Sequence, residues 1–327
     1  MEAGSRRVRV DNTQVGLLAD IGRHSVRFAL SGGRYGNDPR EIRTYSNVTH
    51  NSFTGALLDY VEAVGVRGQA LPSVLAVAGM TRGDIVNLTG SRWYISLSGV
   101  EAVLRARPIA LNEAAAVAMA LILLPSDALS SIGKHRWRPV EAGGRYLLVS
   151  LGTGLGVAAL ITTPNGVLAP VQSEAGHITF APSTPEEEKF FAAVRIKGPV
   201  SAETLVSAPG LVAAYTALSP IGRTMAKPEE VTKGFGRDAT ADAVGDMVAG
   251  YFGSFVGDMV LAFGAWDGVY ITGAVGRALQ RKLELTVFRH RLENKDAHRR
   301  QLAEVPVSLI NRTDLELLGA AATFDSC

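Results

Sequence analysis

Apolar and polar positions along the chain first organise at Leu17–Leu30, "LLADIGRHSVRFAL", where two apolar runs flank the polar turn Asp20-Ile21-Gly22-Arg23-His24-Ser25. β-type residues on both sides of a short Gly-bearing turn predict a β-hairpin. "FTGALLDYVEAV" then carries apolar residues at helical spacing, and the continuous apolar run "SVLAVAGM" reads as a buried strand. "DIVNLTG" and "RWYISL" predict shorter strands, and "PIALNE" runs into the helix "AAAVAMALILL". A polar, Pro-bearing connector follows, "PSDALSSIGKHRWRPVEAGG".

Beyond the connector the pattern restarts. "RYLLVSLGTGLGVAALIT" is again strand, Gly-bearing turn and strand, an echo of the opening unit. A third strand-turn, "DGVYITGAVG", precedes the predicted helix "RALQRKLELTVFRH". Strands and helices interleaved in this way indicate an α/β fold. The repeated opening unit predicts two related α/β domains that each offer a hairpin turn to a shared cleft. Two such turns would grip a polyphosphate from both sides.

Composition narrows the function classes. A chain of 327 residues has room for two domains and a cleft, and 47% hydrophobic with 20% charged residues fits a folded protein. The 33 basic and 31 acidic residues nearly cancel, which leaves no electrostatic footprint for nucleic acid. "RHRLENKDAHRR" reads as a solvated helix face of mixed charge. The single cysteine, Cys327, excludes an intrachain disulfide and a Cys-rich zinc site, and points to a reducing compartment. "MEAGSRRVRVDNTQ" lacks the apolar stretch of a secretory signal, and the apolar run Ala114–Leu124 stops at Pro125, too short for a bilayer. The expectation is a cytoplasmic protein without membrane or nucleic-acid partners.

Four short stretches carry candidate chemistry. "SLGTGLGV" places Gly152, Thr153, Gly154 and Gly156 in one turn, where backbone N–H groups without neighbouring Cβ atoms suit a phosphate, although a plain tight hairpin uses the same residues. It lacks the Lys-Ser/Thr of a Walker loop and the spacing of a dinucleotide fingerprint. "IALNEAAAVAMA" ends a strand at Asn112-Glu113 and starts a helix; Glu113 suits a general base there, or simply complements the helix dipole behind an Asn112 cap. "VQSEAGHITFAP" supplies Glu174 and His177, an acceptor and a donor for one polyol. "GPVSAETLVSAPG" adds Glu203 near a helix start.

Together and in this order, these stretches resemble the bacterial glucokinase family, within the hexokinase-type sugar kinases of actin/Hsp70-like ATPase fold. The resemblance runs from about Val15 to Phe324 through collinear blocks such as "LNEAAAVAMA", "LGTGLGVAALI", "EAGHITFAPSTPEEEKFF", "VSAETLVSAPGLVAAY" and "DLELLGAAATF". It implies a two-domain actin-like fold of the ribonuclease H type, with residues 14–123 plus 306–327 forming a small domain and 124–305 a large one. It places Asn112, Glu113, Glu174, His177 and Glu203 at the sugar, with Glu113 as catalytic base. It places Asp20, Gly22 and Arg23 at the phosphates, Asp20 in the outer shell of Mg²⁺, Gly152, Thr153 and Gly154 at the second phosphate turn, and Gly273 at adenosine. The implied reaction is ATP-dependent phosphorylation of glucose at its 6-hydroxyl, by a homodimer.

Several positions depart from the family pattern. The first turn reads Asp-Ile-Gly-Gly-Thr-Asn in the family, so Arg23 replaces a glycine and His24 a threonine. Glu113 replaces aspartate, Ala175 and Ala274 replace glycines, and Gly90 replaces an asparagine. If the turn requires φ > 0 at Arg23, strain of order 1–2 kcal/mol is expected; Arg23 is also a good phosphate partner. The alternative expectation is a catalytically weakened relative that senses sugar. A repressor of the related group is set aside, since no helix-turn-helix pattern precedes Val15.

Overall fold

The computed structural model describes residues 14–326 apart from 80–82, 89–90, 92, 197, 221–224 and 226. Gly90 and Cys327 lie outside the described residues.

The first half builds a five-stranded sheet from β1 (Gly16–Ile21), β2 (Ser25–Ser31), β3 (Arg40–Ser46) and β4 (Ser73–Val77), and, after a small ribbon of β5 (Ile85–Asn87) and β6 (Tyr94–Ser96), from β7 (Ile109–Asn112). Its helices are α1 (Phe53–Ala63), α2 (Leu97–Leu104) and α3 (Glu113–Ala120). The order is β3-β2-β1-β4-β7, with an antiparallel meander β1-β2-β3 and parallel neighbours β1, β4 and β7.

The second half has β8 (Leu129–Ser131), β9 (Arg145–Leu151), β10 (Leu155–Thr162), β11 (Leu168–Ser173), β12 (Gly268–Thr272) and β13 (Val307–Ile310), in the order β11-β10-β9-β12-β13-β8. Leaving out the edge strand β8, this is the first sheet again: a meander β9-β10-β11, then β12 and β13 parallel to β9. The repeat expected from the two hairpins is therefore a repeat of topology. Between β11 and β12 run α4 (Pro185–Arg195), α5 (Ala202–Leu205), α6 (Ala208–Leu218), α7 (Pro228–Lys233) and α8 (Ala239–Phe263); α9 (Ala274–Ala278), α10 (Gln280–Leu283), α11 (Thr286–Glu293) and α12 (Arg299–Glu304) follow β12, and α13 (Leu315–Phe324) comes last.

The central parallel strands are covered on both faces. All residues of β4 "SVLAV", β12 "GVYIT" and β13 "VSLI" are buried, which is why they read as continuous apolar runs. The edge strand β3, "REIRTYS", is mostly exposed, and its charges blunt a free edge. Among the described residues one helix, α8, is long and apolar enough to cross a membrane, but 67% of its most apolar window is buried inside the protein.

Three segments differ from the sequence expectation. "RALQRKLELTVFRH" is not one helix but α9, α10 and α11, broken at Leu279 and at Glu284-Leu285. The polar connector contains β8, which pairs with β13. Within 306–327, β13 joins the second sheet beside β12, and α13 alone packs on the first.

The helices α3 and α13 join the halves. Leu317, Ala320, Ala321 and Phe324 of α13 pack on Leu18, Ala29 and Val74 of the first sheet. Alanines of α3 pack against Leu148, Ala158 and Leu160 of the second sheet, together with Leu315 and Leu318 of α13. The helices meet backbone to backbone: a Cβ added at Gly319 would lie 1.7 Å from the Ala116 carbonyl oxygen. Glu113, at the start of α3, is thereby fixed against both sheets.

Candidate active site

Strand register sets the frame. Ile21 lies opposite Val77, and Val77 opposite Asn112, so the first turn and the start of α3 leave the sheet at carboxyl ends of parallel strands, separated by β4. Two strand spacings make this about 10 Å. In open α/β sheets the crevice beyond these ends is where ligands bind. In the second sheet Thr272 lies opposite Ser150, which brings Gly273 beside Leu151 and the turn after it.

Asp20 and Arg27 are cross-strand partners in the β1-β2 hairpin. Arg27 Nε donates to Asp20 Oδ2 at 2.7 Å, and Arg27 Nη2 donates to Glu316 Oε2 at 3.1 Å. Burial raises the Asp20 carboxyl above the ordinary range, against the pull of Arg27. Burial, then the charge of Asp20, push Glu316 up to about 7. Glu113 opens to solvent at the cleft, yet the protein walls crowding it remove hydration; this loss, then Asp20, raise its carboxyl, and Arg27 opposes the rise. Asp20, Glu113 and Glu316 thus form one electrostatic cluster around Arg27.

The first turn is closed by the Gly22 N–H donating to Ser25 O at 3.0 Å. Asn47 braces it from beyond β3: its Nδ2 donates to Arg23 O at 2.9 Å, and its backbone N–H donates to His24 O at 3.0 Å. Among the described residues, the non-glycines with positive φ are Glu41, Arg105 and Asp296. Arg23 is not one of them, so the strain expected there is absent. Ala175 and Ala274 likewise occupy ordinary backbone regions. At Arg23, Ala175 and Ala274 the edited turns are unstrained as backbone.

The second turn is tied to the sugar-shell candidates. Glu203 Oε2 accepts the Leu155 N–H at 2.8 Å, and a Cβ at Gly154 would come within 2.5 Å of that same oxygen. Gly176 fits because a Cβ there would lie 2.0 Å from Leu155 O. The Ala202 N–H donates to Ile178 O at 2.9 Å, so the Glu174–His177 segment and the helix bearing Glu203 are stitched together around Leu155. Gly156 sits close to α3, its added Cβ falling 3.6 Å from Ala114 Cβ. Asn112 is the helix cap: its Oδ1 accepts the Ala115 N–H at 2.8 Å.

Gly273 has φ +95°, and a Cβ there would meet Leu151 O at 2.0 Å. Gly273→Ala is therefore expected to destabilise the chain by about 1–3 kcal/mol, read as a lower Tm by circular dichroism. Gly22→Ala is the control, since its Cβ would meet only Ser25 O, at 3.6 Å.

Sequence reasoning missed Arg27, Asn47 and Glu316. Arg27 was legible in principle, since a hairpin with its turn at 22–25 pairs positions 20 and 27. Glu316 had no local signal, because chain topology alone brings α13 to β2. Among the described residues no group of three or more His, Cys, Asp or Glu side chains could hold a metal ion unaided. A cavity of about 490 Å³ lined by residues including Phe235, Asp242, Arg277 and Lys282 opens on the second half, away from Asp20 and Glu113.

The glucokinase family profile matches residues 17–326. A glucokinase of Xanthomonas campestris pv. campestris is 36% identical over 316 residues, covering 94% of this chain and 93% of the relative. The crystal structure of a glucokinase from an Antarctic psychrotroph superposes with a TM-score of 0.82 at 26% identity, covering 96% of this chain and 99% of that one. A Balamuthia mandrillaris glucokinase in complex with glucose shares the fold with a TM-score of 0.78 at 16% identity, over 96% and 93% of the chains. With an actin-like doubled sheet and near full-length matches, the chain belongs to the glucokinase family.

Proposed function

We propose that the chain transfers the γ-phosphoryl group of ATP to the 6-hydroxyl of glucose or a close hexose. The observation that carries this is Glu113: a carboxylate of raised proton affinity at the crevice, beside the first turn and α3's contact with the second, with its nearest cation already engaged by Asp20 and Glu316. Such a group is poised to take a hydroxyl proton as the phosphoryl arrives.

Around it, the amide nitrogen of Asn112 and the side chains of Glu174, His177 and Glu203 hold the sugar hydroxyls. Asp20, Gly22 and Arg23 on one turn, and Gly152, Thr153 and Gly154 on the other, face the phosphates, and α9 leads from Gly273 toward the cavity at Arg277, which takes the adenosine. Phosphoryl transfer depends on this kind of positioning more than on covalent chemistry. The residues fit a Mg²⁺ ion that arrives with the nucleotide, because magnesium is commonly held by one or two carboxylates plus substrate phosphates. Asp20 would hold it through water, and the ion supplies charge neutralisation at the phosphates. Since Glu203 also holds Leu155, sugar and phosphate sides share one hydrogen bond.

The two halves close as units, 14–123 with α13 and 124–310, and closure on the sugar excludes water. The chain works as a homodimer in the reducing cytoplasm, consistent with its lone cysteine. The sensor alternative drew on a spoiled first turn, and with Arg23 at ordinary φ nothing favours it. The test is a coupled assay for glucose 6-phosphate with purified protein, glucose and Mg²⁺-ATP. Turnover is expected; no product while glucose still raises Tm would overturn the kinase reading.

A further inference from the structure

We propose that Glu316 is a positioning residue for phosphoryl transfer, taking one edge of the Arg27 guanidinium while Asp20 takes another, and so keeping Arg27 off Glu113. The proposal rests on the kinase reading above.

Carboxylates from two elements bond this guanidinium, Asp20 from β1 and Glu316 from the first turn of α13, and its charge is also felt by Glu113 at the start of α3 and by Asp314 before α13. A guanidinium is a rigid fork whose donors point in fixed directions. Its Nε is given to Asp20 and its Nη2 to Glu316, whereas Glu113 makes no ion pair among the described residues. The remaining charged groups near this corner, Arg312 and Asp314, pair with each other at 2.5 Å and 2.8 Å. Among the described residues no second cation pairs with Glu316.

The division matters because a proton acceptor paired with arginine is held ionised and becomes a weaker base. Without Glu316, Nη2 loses its partner; of the other carboxylates its charge reaches, Asp314 is already held by Arg312, which leaves Glu113 to attract it. An ion pair that served stability alone would not look like this. Burial and Asp20 raise Glu316 to about 7, so the folded chain disfavours the anion at the very place where it meets Arg27, a pattern that clusters at functional sites.

The experiment uses the full chain and two variants. Glu316→Gln keeps the shape and an acceptor for Nη2 but removes the charge; Glu316→Ala removes the partner. Three quantities are read: kcat and KM for glucose against pH, Tm against pH, and the ¹⁵N signals of the Arg27 guanidinium in ligand-free protein, assigned by their loss in Arg27→Lys. Glu316→Ala is expected to lower kcat by about tenfold to a hundredfold, with KM for glucose little changed. The Arg27 Nη signals, distinct in the parent because rotation would break the Glu316 bond, average in Glu316→Ala. Glu316→Gln is expected to have a higher Tm than the parent above neutral pH, measured without nucleotide or metal.

Unchanged kcat and unchanged Arg27 signals in Glu316→Ala would overturn the proposal. So would a Glu316→Gln protein less stable than the parent above neutral pH, because Glu316 would then be a structural ion pair. If the parent shows no turnover, the kinase reading fails on its own, and the Arg27 signals still decide whether Glu316 places Arg27.

Discussion

Glu113→Gln is expected to lower kcat by about 10²–10⁴-fold, the usual loss when a general base is removed. Glutamine keeps the length and the hydrogen-bonding reach of the side chain, so KM for glucose should change far less than kcat. The substitution also leaves the local fold alone: Asn112 still caps α3 through Ala115, and the contact of Gly156 with Ala114 is untouched. Glu113→Asp retains a proton acceptor, and its kcat should stand well above that of the glutamine variant. The pH profile carries a second signature. The Glu113 carboxyl is raised by lost hydration and by Asp20, so the base is lost to protonation as pH falls, and that acid limb lies above the ordinary glutamate range. A glutamine variant with kcat within a few fold of the parent would remove Glu113 from the chemistry.

Much of this site is legible in the amino-acid sequence because its parts are local. A strand and the turn that ends it are written in consecutive residues: Asp20 and Gly152–Gly154 sit in strand-turn-strand units, and Gly273 joins β12 to α9. The doubling of the fold is legible for the same reason, as two hairpins with the same pattern. Glu316 is not, because its position follows from α13 crossing α3 at Gly319, a contact between residues far apart in sequence. Backbone angles are equally hidden. Arginine in a family glycine position suggests strain at Arg23, but a turn closed by Gly22 and Ser25 and braced by Asn47 needs no positive φ there. The helix expected over "RALQRKLELTVFRH" fails differently: its apolar spacing is real, but Leu279 at the first break, Leu283 of α10 and Phe288 of α11 reach the same core from separate short segments.

Glu316→Gln should make the protein more stable at neutral and higher pH, by up to about 3 kcal/mol, and no more stable in acid. The carboxyl stands at about 7 in the folded chain against an ordinary value of 4.5. Between those values the folded state binds the proton that the unfolded state has released, so stability falls as pH rises. The contribution of the neutral carboxyl is complete below about 4.5 and is lost as pH climbs through about 7. At about 1.4 kcal/mol per pH unit, the rise corresponds to about 3 kcal/mol. Glutamine resembles the neutral carboxyl and holds that stability at every pH. Asp20 and Glu113 are raised as well and tilt parent and variant in the same direction, so the difference between the two urea unfolding curves reads Glu316 together with its coupling to them. A variant that gains stability above neutral pH and loses kcat would show a charge retained against the fold because Arg27 needs it. Equal stabilities at all pH values would mean that Glu316 ionises freely, and the carboxylate cluster around Arg27 would then be relaxed rather than poised.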